Sequence, residues 1–126
     1  MRKFIIYRIY YGSNIVYVGR TKQPLQSRIR GHMFKKPMHR LVDINHVTKI
    51  DYAELGSEAD MFLYEIYYIN TIKPPLNVDD KAYDNLSATL PELEFKDFWP
   101  KNFDKWKTEL NAKYMGGDRK GEFWWV

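Results

Sequence analysis

Arg28 and His32 stand four residues apart in a stretch where Leu25, Ile29 and Met33 recur at the same interval. On a helix that spacing turns the three apolar residues to the core and leaves Arg28 and His32 on an adjoining face, open to a ligand. Glu65 lies between Tyr64 and Ile66 in an otherwise greasy segment. A carboxylate there is either on the solvent side or held in place for use, and the segment by itself favours solvent, because Glu is almost never fully buried unpaired. Tyr7 and Tyr17 flank the dipeptide Gly12-Ser13, and tyrosines so placed are ordinarily cross-strand core partners. Together these are groups that carry protons and bind anions. From residue type alone, each also has a plain structural reading.

The charge pattern narrows the anion. Residues 1–50 hold eleven Lys or Arg against one acid, Asp43, and residues 51–100 hold three against eleven, within a net charge of +4. So one-sided a first half sets up a positive field that concentrates a polyanion and speeds its encounter. Nucleic acid is the candidate partner; a merely solvated basic face is the alternative.

The elements that must position these residues can be read from the same sequence. Lys3 to Tyr11 and Asn14 to Gly19 are rich in Ile, Tyr and Phe on either side of the Gly12-Ser13 turn, the pattern of a hairpin. Pro24 suits the first turn of a helix running to about Lys35. Pro37 ends it, Met38 to Asn45 reads as one more short helical stretch, and Val47 to Leu55 as a third strand. Ser57 with Asp60 resembles a capping box for a helix over Glu58 to about Thr71, with Phe62, Ile66 and Ile69 as its buried stripe and Pro74-Pro75 as its stop. From Val78 to Leu93 the chain is acidic and loop-like. The aromatics Phe95, Phe98, Trp99, Phe103 and Trp106 then read as a tail helix packing back on the domain rather than as a base-stacking surface. The terminal Phe123, Trp124 and Trp125 would dock on the body of the protein or on a partner.

At 126 residues the chain has room for one core. Hydrophobic residues at 44% and charged residues at 29% mark a folded protein rather than a disordered one. There is no cysteine, so disulfides and thiolate metal sites are excluded. No run approaches the roughly 18 apolar residues that span a bilayer, so the expectations are a cytoplasmic location and no membrane partner.

Ile5-Ile6-Tyr7, then Tyr17-Val18-Gly19, then Arg28, His32, Glu65 and Asn77 resemble the GIY-YIG nuclease family in order, spacing and residue type. The resemblance covers about Lys3 to Val78. Ile5 stands where the family has a Gly, a backbone-permissive position more than a chemical one, so the exchange bears on packing before chemistry. Val18 for Ile exchanges one β-branched residue for another. The resemblance implies hydrolysis of a phosphodiester, which needs an activated water, a cation on the non-bridging oxygens, positive groups for the growing charge and help for the leaving oxygen. It implies that Glu65 holds Mg²⁺ (or Mn²⁺), that Tyr7 or Tyr17 positions or deprotonates the water, and that Arg28 assists it or clamps the phosphate. His32 would share proton transfer or bind phosphate, and Asn77 would brace the site. His39 and His46 match no motif and read as surface histidines.

The expected fold is therefore a small α/β (α+β) domain over residues 1–79, a mainly antiparallel three-stranded sheet flanked by helices. Residues 80–126 form an acidic loop and an aromatic-rich extension that packs on the domain or contacts DNA. The expected substrate is DNA, in duplex form, with Arg20, Lys22, Arg30, Lys35, Lys36 and Arg40 on its backbone, where contacts give affinity without reading sequence. The other readings are a non-cleaving nucleic-acid-binding or regulatory module of the same fold, and an RNA nuclease. Dimerisation is left open as a way to cut both strands.

Overall fold

The computed structural model describes residues 3–34, 42–77 and 87–115. Lys35, Lys36, His39, Arg40, the terminal aromatic cluster and residues 78–86 of the acidic stretch lie outside those residues. β-branched and aromatic residues favour a pleated surface, and they form β1 (Phe4–Tyr11), β2 (Asn14–Thr21) and β3 (Val47–Leu55). Gly12 makes the β1–β2 turn possible, with a φ of 62° that an L side chain resists. The sheet order is β2-β1-β3-β4, every pairing antiparallel. The fourth strand, β4 (Lys96–Asp97), adds two residues outside β3 and is too short to leave a pattern in the sequence.

Helix α1 (Leu25–Phe34) opens with the Arg28 amide donating to the Pro24 carbonyl at 3.1 Å. Helix α2 (Glu58–Ile72) is capped as its sequence suggests: the Ser57 side chain accepts from the Asp60 amide. It ends before the prolines, where Lys73 turns left-handed (φ 53°) and its amide bonds the Ile69 carbonyl. Helix α3 spans Phe103–Met115. Of the expected short helical stretch over Met38 to Asn45, only the end is described, and there a single 3₁₀ turn, Ile44–His46, leads into β3.

Both faces of the sheet are covered, which is why its strands read as nearly continuous apolar runs. In register, Tyr52, Tyr7 and Gly19 form one row across β3, β1 and β2, with Ile50, Ile9 and Tyr17 beside it. Those rows pack with Leu25, Ile29 and Met33 of α1 and with Phe103, Trp106 and Leu110 of α3. The opposite face presents Ile6 and Val18 to Met61, Tyr64 and Ile69 of α2. On that side Arg8 forks onto Asp51 at 2.8 and 2.7 Å, Tyr10 donates to the same carboxylate, and the guanidinium lies 3.5 Å from the Phe95 ring centroid. This bolt ties residues 87–97 to the sheet.

The α2 stripe differs from expectation. Ile69 is buried, but Phe62 and Ile66 are 39% and 44% exposed, and Met61 and Tyr64 take the buried places. The segment is apolar on every side, so periodicity could not choose a face. Contact with Ile6 and Val18 chose it.

Candidate active site

Tyr7 and Tyr17 are drawn together by the absence of a side chain at Gly19. A Cβ built there would stand 2.5 Å from both Cζ and Oη of Tyr7 and 2.9 Å from Cε2 of Tyr17. Gly19 thus makes the space in which Tyr7, wholly buried, lies against β2. The signal for it was a lone glycine inside a strand, and only its neighbours show what it is for.

From α1, His32 and Arg28 meet that phenol. The Tyr7 hydroxyl is hydrogen-bonded to His32 Nε2 and accepts from Arg28 Nε at 3.2 Å. The His32 ring packs edge-on against Tyr17, with centroids 4.8 Å apart, and against Tyr7 at 5.5 Å. His32 is therefore not the ligand-facing residue that spacing suggested: it is 1% exposed. Its Nδ1 is buried with no hydrogen-bond partner among the described residues. Arg28 is half-buried, and its Nε faces Tyr7.

The electrostatics follow from burial. Desolvation, then the Arg28 charge, hold the His32 imidazolium down to a pKa of about 3, so the ring is neutral at physiological pH and one of its two nitrogens can accept. Burial also pushes the Tyr7 phenol well above its usual value of 10, aided by Tyr17, while Arg28 pulls the other way. Arg28's help, expected to make the phenol acidic, is thus outweighed in the resting protein. Arg28 itself is held more firmly protonated, first by Tyr7.

Glu65 approaches from α2, the helix of the other face, and reaches the edge strand β2, where Oε1 pairs with Arg20 Nη1 at 2.6 Å. Its side chain is only 13% exposed. Its charge acts through space on both Tyr7 and Arg28, as a smaller contribution than burial at the first and than Tyr7 at the second. The solvent-side reading of Glu65 does not hold. Asn77 is buried and clamps the same strand: its Nδ2 donates to the Val18 carbonyl at 2.8 Å, and its Oδ1 accepts from the Val18 amide at 2.9 Å. The Leu76 amide adds a bond to the Val16 carbonyl.

A family model for the GIY-YIG catalytic domain matches residues 3–77. The chain belongs to the GIY-YIG family. Among curated proteins it resembles the UvrABC system protein C of Pasteurella multocida, 34% identical over 91 residues that make up 67% of this chain and 15% of that protein. The UvrABC system protein C of Anaplasma marginale is 35% identical over 74 residues, 55% of this chain and 12% of that protein. The chain thus spans a small fraction of the length of these relatives, one module of much larger proteins. No solved structure matches it.

Around this GIY-YIG domain the expected backbone-binding residues are differently placed. Arg20, besides holding Glu65, lies over the Phe62 ring at 4.5 Å. Lys22 pairs with Glu58 at 2.8 Å, and Arg30 lies over Phe34 at 4.3 Å. His46, exposed, bonds Asp43 and packs on Tyr11 rather than on the Tyr7–His32 cluster. Among the described residues no three His, Asp or Glu gather where a metal could be caged, and no helix is long and apolar enough to cross a membrane.

Proposed function

We propose that this GIY-YIG domain is an endonuclease that hydrolyses phosphodiester bonds of duplex DNA, with a divalent cation bound at Glu65. The observation that carries the reading is the Tyr7 hydroxyl, held between Arg28 Nε and His32 Nε2. That arrangement forms a proton wire. Once Arg28 turns from Tyr7 onto the phosphate, a water can reach the Tyr7 oxygen and give up a proton to it as the phenol's own proton passes to His32 Nε2. The hydroxide oxygen then bonds to phosphorus, the bond to the leaving oxygen breaks, the leaving alkoxide takes up a proton from solvent, and His32 gives its own back to solvent through Tyr7.

Arg28 supplies the charge. Its terminal nitrogens match the planar fork that phosphate oxygens accept. A bound phosphodiester also offsets the Arg28 charge that, after burial, holds the His32 pKa low, so substrate itself prepares His32 to receive a proton. Asn77 keeps Val18, and with it Tyr17 and Gly19, in register on the edge strand.

The donor set fits Mg²⁺ or Mn²⁺ as a lightly held ion. A single carboxylate suits a cation that retains most of its waters and takes the rest of its shell from substrate phosphate. Glu65 would hold it, with Arg20 as the counterion it displaces; when bound, it supplies Lewis-acid charge to the non-bridging oxygens. Arg20, Lys22 and Arg30, with Lys35, Lys36 and Arg40 outside the described residues, would carry the flanking backbone.

The test is nicking of supercoiled plasmid by the wild-type chain and by Glu65→Ala and Tyr7→Phe, with Mg²⁺ and with chelator. Cleavage that disappears in both variants and in chelator supports the reading. Plasmid binding without nicking by any form refutes it in favour of a non-cleaving module.

A further inference from the structure

Next to the Tyr7 row the surface carries a recess between the sheet and the start of α1. Residues of β1 and β3, the chain entering α1 at Leu25, and Phe98 surround a cavity of about 340 Å³ there. Ile5, Leu25, Tyr52 and Phe98 supply apolar and aromatic surface; Lys3, Lys22, Gln23 and Glu54 supply polar groups. Tyr52 is the direct cross-strand partner of Tyr7, which puts their Cβ atoms about 5 Å apart. The cavity therefore adjoins the Tyr7 row on its β3 side, the side away from Gly19 and β2.

Its chemistry is that of a nucleobase site. Tyr52 and Phe98 meet edge-to-face at 6.2 Å and offer ring surface against which a planar heterocycle can pack. Lys3 and Lys22 are held by Glu54 and Glu58 in exposed ion pairs, which are weak enough for a phosphate to exchange with. Lys3 occupies only Oε2 of Glu54, leaving the second carboxylate oxygen to accept from an exocyclic amine, the contact a carboxylate makes with cytosine N4.

We propose that this cavity receives an unstacked base, one bearing an exocyclic amine, of the nucleic acid that the domain holds. The inference rests on the nuclease reading for its biological sense, although the cavity would bind a nucleotide whether or not the domain cleaves. Ile5, at the position where the family motif has a Gly, forms the floor of the site. The motif's departure then acts on what the cavity binds. Taking a base out of a duplex costs a few kcal/mol, so the site favours DNA already unpaired or distorted at that point.

The experiment uses the full chain, isotopically labelled, in chelator, titrated with dCMP, dTMP and deoxyribose 5-phosphate and followed by amide chemical shifts. dCMP should shift the amides of Lys22, Gln23 and Glu54 and bind at least about fivefold more tightly than the base-free sugar phosphate, the lower end for one stacked base. Tyr52→Leu should abolish that advantage. Should Tyr52→Leu fail to fold, Glu54→Gln serves, and should erase the preference for dCMP over dTMP while leaving the advantage over sugar phosphate. Equal binding of all three ligands, or shifts that map elsewhere, overturns the proposal. Because no cleavage is read, a chain that nicks plasmid but gives equal binding refutes the base site alone, and one that binds dCMP but never nicks refutes only the nuclease reading.

Discussion

Gly19→Ala tests the central geometry with one methyl group. Carbon atoms in ordinary contact sit about 3.5–4.0 Å apart, whereas the new Cβ would lie 2.5 Å from Tyr7 Cζ and Oη. The phenol must retreat by about 1 Å to reach ordinary contact. It has nowhere slack to go, being fully buried, packed on His32 and bonded at its hydroxyl from two sides. Forcing a group into such a core costs about 1–3 kcal/mol, a fall of roughly 4 °C in melting temperature per kcal/mol at this chain length. A 1 Å retreat also carries the 3.2 Å contact with Arg28 Nε beyond hydrogen-bonding range. Misplacing a reacting group by that much lowers turnover by about 10²-fold. Thermal melts and initial nicking rates measure the two effects separately. In the double variant with Tyr7→Phe the losses should not add, because the residues are in contact. A Gly19→Ala protein that melts and nicks like wild type would refute the reasoning.

His32 stays neutral when folded, with a pKa near 3 against 6.5 in the unfolded chain. The folded state thus binds fewer protons, its stability is full above about pH 6.5, and it drains on the order of a few kcal/mol as pH falls toward 3; His32→Asn should flatten that slope in a melting series. Asn77→Leu removes both bonds to Val18 and leaves a buried amide and carbonyl unpaired, costing about 1–3 kcal/mol for each group by chemical denaturation. Arg20→Gln frees Glu65 from its ion pair, which is partly exposed and so worth little; Mn²⁺ affinity without DNA should rise about two- to fivefold by calorimetry, and an unchanged affinity would separate that pair from metal binding.

Much of this molecule was readable before its structure. The hairpin, the α1 stripe and the Ser57 cap each rest on interactions between near neighbours, and these leave clear spacing. The motif residues Tyr7, Tyr17, Arg28, His32 and Asn77 were legible only jointly, through their resemblance to the family, and the structure brings them together around β1 and β2. What was not legible depended on distant partners. His32 looked like a surface residue because a helix repeat cannot show that the other side also meets a sheet. Phe62 and Ile66 were assigned to the core of a helix whose sides are equally greasy, and the facing Ile6 and Val18 settled the matter. Gly19 carried no visible role until Tyr7 was seen to occupy the space beside it.

The outer margin of β2 has a further consequence. A border strand with bare amides and carbonyls invites another chain to pair with it, yet here Leu76 and Asn77 already occupy Val16 and Val18. Two copies of this domain therefore cannot extend one sheet into the next through that stretch. If cutting both strands of a duplex requires two copies, they must meet through some other part of the surface, and each would keep its own Tyr7 site.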